Sequence, residues 1–368
     1  MQLQSEHSVF TNIREIEGKR HEYQSQTGKS ESDFLGYFVA QELIIAVYID
    51  DLLIIGKTRE AVKQFKDCLS KRVSMKDEDD AGTMDYLGIE ITRDREKGTL
   101  GLSQKAYLEG VLKKYGLDKL NGTNIPMREG LRFYADDADY VNDDEKSVYQ
   151  SKVGSLTYGM QGTRPDIAYA ASLFSRFLGK PTKSHVKALQ GVFRYLTKTL
   201  DLGIVYDKHD SKGLHAYTDA DWAGSTLIGD SKSTSGYVVM LAGGPIAWSS
   251  RRQTTVATSS TYSEYVGQAN TIKQVCHLIQ LLGELNRFPN LPVKIYAGNQ
   301  GAQALARNPE FHAKAKHIQL SHHFQREKVE KGLVELIHVA TSDQAADGFT
   351  KPLGRAKFDR WMGLLGLK

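Results

Sequence analysis

Residues 43–57, LIIAVYIDDLLIIGK, set two neighbouring carboxylates into the middle of an otherwise apolar run. Charged aspartates without partners are too costly to bury in the centre of one apolar element. The run therefore predicts two short apolar strands folded back as a hairpin, with Asp50 and Asp51 at its tip. Two readings of that pair are open. Aspartates are ordinary turn formers, and they are also hard oxygen donors whose mutual repulsion a divalent cation relieves.

The remaining chain alternates strand-like and helix-like stretches. Residues 13–42 are polar and without period, so 1–42 is expected to be mostly disordered or irregular. Thr58 opens a helix to about residue 71. YLGIEITRDREKGTLGLS predicts a second hairpin turning at Glu96-Lys97-Gly98, followed by a helix over 104–115. Residues 120–145 are rich in Asn, Asp and Gly and form the first expected domain boundary. Helical spacing fills 146–200, broken at Gly162-Thr163-Arg164-Pro165 and Gly179-Lys180-Pro181. Three strands then follow in LHAYTDADWAG, SGYVVMLAG and GPIAWSS. A long helix over 258–285 and a strand in VKIYA come next, then helices over 299–307 and 313–330, a last strand in LVELIHV, and helices from 341 onward. Such an order is that of a mixed α/β (α+β) fold.

Composition narrows the function classes. A hydrophobic fraction of 40% beside 25% charged residues is a globular balance. The longest apolar run, 43–49, is far below the ~20 residues of a membrane-spanning helix, and the polar start lacks the pattern of a secretory signal. Membrane partners are therefore not expected. Cys68 and Cys276 are the only cysteines, which excludes a disulfide framework and points to a reducing compartment. An intracellular, cytoplasmic location is the default, with the nucleus as the alternative. The net charge of +4 is too mild to argue for a nucleic-acid partner by itself.

Several motifs in order, VYIDDLLIIGK, YLGIEI, LSQKAYLEGVLKKYGL, YQSKVGSLTYGMQGTRPDIAYA, YTDADWAG, WSSRRQTTVATSSTYSEY, NPEFHAKAKHI and QAADGFTKPL, resemble the copia-type retrotransposon polyprotein. The resemblance covers residues 43–368, with HSVFTN at 7–12 as an upstream fragment. It implies part of a reverse transcriptase palm and thumb over 43–120, a linker and helical connection over 121–200, and a ribonuclease H-like domain over 201–368. That last domain would carry a mixed five-stranded sheet flanked by helices. The implied activities are RNA-directed DNA synthesis and cleavage of RNA in RNA/DNA hybrids, with Mg2+, or Mn2+, as cofactor. RNA/DNA hybrid or another nucleic acid is the implied partner, together with other copies of the polyprotein.

By this resemblance Asp50 and Asp51 match the polymerase's metal-binding hairpin. Only 49 residues precede Asp50, so the chain is expected to lack an earlier palm carboxylate and the fingers, and to be a truncated, polymerase-dead segment. Asp219, Glu264 and Asp347 match three of the four acidic metal ligands of the family's ribonuclease H. The fourth falls in a segment that reads approximately Cys-Asp-Asn-Gln in the family and Ala297-Gly298-Asn299-Gln300 here. Gly298 thus replaces a ligand, and impaired hydrolysis is the expectation. A non-catalytic nucleic-acid-binding module and a decayed transposon remnant are the rival readings.

Other residues invite weaker assignments. Asp221 either shares a strand face with Asp219 or faces solvent near Gly224. Asn299 offers an amide oxygen one residue away from the missing ligand, and His338 reads as a strand-end histidine. Arg251, Arg252, Lys314 and His317 are candidates for phosphate contacts, although a solvated face explains the same residues. Trp222 and Trp248 read as core or shelf residues.

Overall fold

The computed structural model describes residues 35–40, 43–71, 73–76, 82–134, 138–224, 227–228, 230–307 and 324–368. They divide into two units, one within 1–87 and 281–287, the other within 88–280 and 288–368.

In the first unit three antiparallel strands, β1 (Leu35–Ala40), β2 (Leu43–Tyr48) and β3 (Asp51–Gly56), lie in that order. Alternation in β2 sends Leu43, Ile45 and Val47 to one side, where they are buried with Phe65 of helix α1 (Arg59–Ser70). The Thr58 hydroxyl caps α1 by accepting from the Ala61 N–H at 3.1 Å. The unit also holds a short strand, β4 (Thr83–Tyr86). Strand β1 corrects the expectation that residues 13–42 are irregular throughout: LGYFVA pairs along its whole length with β2. Its extended form rests on that partner strand, so no periodicity of its own announces it.

In the second unit a hairpin of β5 (Ile89–Asp94) and β6 (Thr99–Ser103) leads into α2 (Lys105–Lys114). After the two-residue strand β7 (Phe133–Tyr134) come α3 (Asp143–Gly162), α4 (Ala168–Ser175) and α5 (Lys183–Lys198). Asn142 and Glu145 begin α3 with a reciprocal capping box, which places the start of the helix inside the stretch expected as linker. Strand β8 (Ile204–Asp207) returns to pair with β6.

The larger sheet is built from β9 (His215–Asp221), β11 (Thr234–Leu241), β12 (Gly244–Arg252), β13 (Val293–Ala297) and β14 (Val334–His338), with the two-residue β10 (Leu227–Ile228) lying outside it. Its order is β12-β11-β9-β13-β14. The first three strands are antiparallel, while β9, β13 and β14 run parallel. Helix α6 (Ser260–Glu284) connects β12 to β13, α7 (Gln300–Arg307) follows β13, and α8 (Arg355–Leu365) closes the chain. This is the mixed five-stranded sheet with flanking helices that the motif order implied.

One core spans what the sequence divides at 120 and 200. Leu117, Met127 and Phe133 are buried in the same cluster as Leu156, Phe174 and Phe193 of the connecting helices. That cluster continues into Val238 of the sheet and into Phe349 and Trp361. The Asn- and Asp-rich stretch is therefore pinned by a few apolar anchors rather than standing apart as a hinge. Among the described residues no helix is long and apolar enough to cross a membrane.

His215 at the start of β9 is buried, donates through Nδ1 to the Gly213 carbonyl at 2.9 Å, and meets Tyr217 and Tyr296 edge-on. Burial holds its pKa below the ordinary value. The unfolded chain then takes up a proton near pH 6.5 that the folded chain refuses, so stability is complete above that pH and falls as pH drops toward the lowered folded value. Urea midpoints at pH 7 and pH 5 are expected to show that loss, and His215→Gln is expected to flatten it. An unchanged pH slope in the variant would assign the loss to other groups.

Candidate active site

The carboxylates collect where β9 ends. Asp219 sits on this central strand, opposite Gly236 of β11. Gly236 has no alternative: a Cβ there would lie 2.5 Å from that of Phe349 and 2.9 Å from the Thr350 methyl. That close approach lets the segment after β14 cross directly over the sheet, bringing Asp347, Thr350 and Lys351 to Asp219. The segment is held by Gln344, which donates from Nε2 to the Thr218 carbonyl at 3.0 Å, and by Trp361, which donates from Nε1 to the Ala345 carbonyl at 2.8 Å. Helix α6 supplies Glu264 from its first turns, and at Gly267 it has room to pack against the β9 backbone.

Asp219 and Glu264 are each only 8% exposed. Asp219 Oδ2 accepts from the Thr350 hydroxyl at 2.5 Å. Lys351 Nζ stands 2.9 Å from Asp347 Oδ1 and 3.6 Å from Asp219 Oδ2. Glu264 Oε2 is buried with no hydrogen-bond partner. Burial, and next the negative charge of Asp219, push the Glu264 carboxyl up to about 9. Asp347 is raised by the same two causes in the same order. Such a group of crowded, desolvated carboxyls is what a cationic ligand would relieve.

The donor set fits a hard divalent cation: oxygen donors only, from three rigid elements, one of them buried and unsatisfied. Asp219 and Asp347 are joined through the lysine ammonium. Among the described residues no three His, Cys, Asp or Glu side chains meet closely enough to hold an ion by themselves.

Position 298 adjoins this group. The last pair of the β13–β9 ladder is Ala297 with Thr218, so Gly298 lies one step further, beside Asp219. It is exposed, and a Cβ built there meets nothing nearer than Gln344 Nε2 at 4.0 Å. Asn299 is occupied otherwise: its Oδ1 accepts from the Ala302 N–H at 2.9 Å and caps α7. Asp221 is half-buried on the same strand face as Asp219, its carboxylate in the space a Cβ of Gly224 would take. Burial raises its pKa, against the pull of Lys351.

The remaining candidates scatter. Asp50 and Asp51 are both exposed at the hairpin tip, where Tyr48 pairs with Asp51 and Ile49 turns the chain at φ 51°. A β-branched residue in the left-handed region is strained, a feature that clusters at functional turns. Arg251 and Arg252 point to opposite faces of β12, so they do not form one patch. Arg252 pairs with Asp230 at 2.5 Å, and Arg251 is exposed. Lys314 and His317 lie outside the described residues. His338 ends β14 and is exposed. Trp248 is half-buried and donates to the Met160 carbonyl, whereas Trp222 is 48% exposed and is no core residue.

Sequence reasoning missed Lys351 and Thr350, although both stand in the GFTKPL motif. The signal was the spacing: a lysine four residues after an acid on a helical turn reaches back to it.

A family model described as "Reverse transcriptase (RNA-dependent DNA polymerase)" matches residues 6–129. The retrovirus-related Pol polyprotein from transposon RE2 of Arabidopsis thaliana is 39% identical over 88% of this chain and 22% of its own. This chain thus spans about a fifth of the length of that polyprotein. The putative transposon Ty5-1 protein of Saccharomyces cerevisiae is 32% identical over 63% of this chain and 74% of its own. Among solved structures, LC11-RNase H1, isolated from compost by a metagenomic approach, aligns with 38% of this chain and 93% of its own at 16% identity and a TM-score of 0.29.

Proposed function

Because the chain belongs to the copia-type transposon Pol polyprotein family, we propose that its second unit contains a ribonuclease H site for RNA/DNA hybrids, weakened by the glycine at position 298. The observation that carries this reading is the pairing of Asp219 and Asp347 across Lys351 at the end of the central strand, with Glu264 near enough to feel both charges and its Oε2 buried and unmet. Those three residues would hold Mg2+, or Mn2+ in its place. When bound, such an ion activates a water and steadies the charge that develops on the phosphate.

The protein's own part is positional. Thr350 and Gln344 fix Asp219 and the strand that carries it. Burial keeps bulk water from screening the carboxylates. Without a fourth carboxylate the site carries less negative charge and one ligand fewer for a pair of ions, which favours slow cleavage. The same observation favours a second reading, a module that binds hybrid without cutting it. Asp50 and Asp51, by the same family membership, are proposed as two carboxylates of a polymerase metal site. The strained turn at Ile49 supports that reading by holding them outward.

The test is cleavage of an end-labelled RNA/DNA hybrid by the full chain in Mg2+ and in Mn2+, with binding followed by fluorescence anisotropy. Slow cleavage that Asp219→Asn abolishes without loss of binding supports the ribonuclease reading. Binding with no cleavage by any variant supports the second. Neither binding nor cleavage by a folded protein overturns both.

A further inference from the structure

Lys351 holds a position that the ribonuclease reading leaves unexplained. Its ammonium lies 2.9 Å from Asp347 and 3.6 Å from Asp219, between two of the three carboxylates that would hold a divalent ion. Its side chain is 36% exposed, so it reaches solvent as well as the two aspartates. Lys351 lines a small cavity with Met127, Tyr169 and Phe358, apolar neighbours of the kind that suit a lysine's methylenes.

We propose that the Lys351 ammonium is a built-in counter-ion of this site, seated between Asp219 and Asp347 when no divalent ion is bound and displaced outward when one enters. The inference rests on the reading that these carboxylates hold a divalent ion. One observation and two charge arguments support it. An ammonium has a single charge and serves two of the carboxylates, leaving Glu264 Oε2 unmet. A doubly charged ion brings twice the charge to the two aspartates beside Glu264, so exchange is favourable once the ion is plentiful. The glycine at 298 tilts the balance the other way: with one acid fewer, a single positive charge neutralises more of what is left.

Metal affinity is then reduced by the fraction of molecules in which the lysine is seated. Removing the ammonium should strengthen metal binding, whereas a lysine that merely organises the ligands would weaken it on removal. The experiment titrates the full chain with Mn2+ and reads free ion by electron paramagnetic resonance. Native protein is compared with Lys351→Met, Lys351→Arg and Asp219→Asn. Lys351→Met is expected to bind Mn2+ at least about tenfold more tightly, and Lys351→Arg, which keeps the charge, to stay near the native affinity. In EDTA, Lys351→Met should also melt lower than native protein and recover in Mn2+. Where the methionine variant does not fold, Lys351→Gln replaces it.

Equal or weaker binding by Lys351→Met, with binding still abolished by Asp219→Asn, overturns the counter-ion proposal and leaves the carboxylate site intact. Mn2+ binding that ignores Asp219→Asn overturns the carboxylate reading, and the proposal with it.

Discussion

Gly298→Asp is expected to raise hybrid cleavage by at least about 100-fold over the native chain, since loss of groups that only support a metal ligand already costs about 10–100-fold. The structure has room for the change. The β13–β9 register sets position 298 beside Asp219, the backbone there is not in the left-handed region, and an added Cβ meets nothing nearer than 4.0 Å. An aspartate would extend its carboxylate from the strand end beside Asp219, adding a negative charge and one more oxygen donor to the site. In a single-turnover assay, Gly298→Asp should cut and Gly298→Ala should not, which separates the carboxylate from any effect of stiffening the glycine. A folded Gly298→Asp protein that, like the native chain, does not cut would mean that the cluster at β9 is not the reacting site. Native activity that matches Gly298→Asp and vanishes in Asp219→Asn would mean that three carboxylates suffice.

The register behind this expectation was legible in the sequence only in part. Strands β2, β3, β9 and β11 were readable because each is an apolar or alternating run bounded by turn residues, and a central strand keeps that signature wherever it sits. Strand β1 was not, because its extended form comes from pairing with β2. The acidic positions of the site were readable through the motif order. Their relation to Lys351 was not, since it depends on the close crossing at Gly236, a tertiary fact that leaves only a glycine behind in the sequence. Asn299, open as a weak ligand, proved to be a helix cap because the first N–H groups of α7 need an acceptor. Arg164 read as turn punctuation in the sequence, and among the described residues it is the largest fully buried side chain.

That arginine carries the largest stability effect expected in this protein. Its side chain and that of Asp166 are both 0% exposed, joined by two parallel bonds, Nε to Oδ1 at 2.9 Å and Nη2 to Oδ2 at 2.7 Å. Thr199 accepts further bonds from the guanidinium through its carbonyl and hydroxyl oxygens, and the Tyr195 hydroxyl donates to Asp166 Oδ2 at 2.7 Å. The network ties the turn before α4 to the end of α5, and Asp166 lines the same small cavity as Lys351. Every charge in it is answered, which is the condition under which a buried pair is tolerated.

Asp166→Asn leaves the guanidinium buried without its carboxylate. An arginine cannot escape by losing its proton, so the cost is expected at about 3–5 kcal/mol, a large share of the ~5–15 kcal/mol typical of a folded domain. Arg164→Met strands the aspartate instead and should also be strongly destabilising. A variant with both changes, Arg164→Met with Asp166→Asn, should be more stable than Asp166→Asn alone, since it removes the unpaired charge rather than creating one. Urea unfolding of the three variants decides the matter. Additive losses in the double variant would show that the two residues act separately, and that the bonds between them do not set the stability of the helical connection.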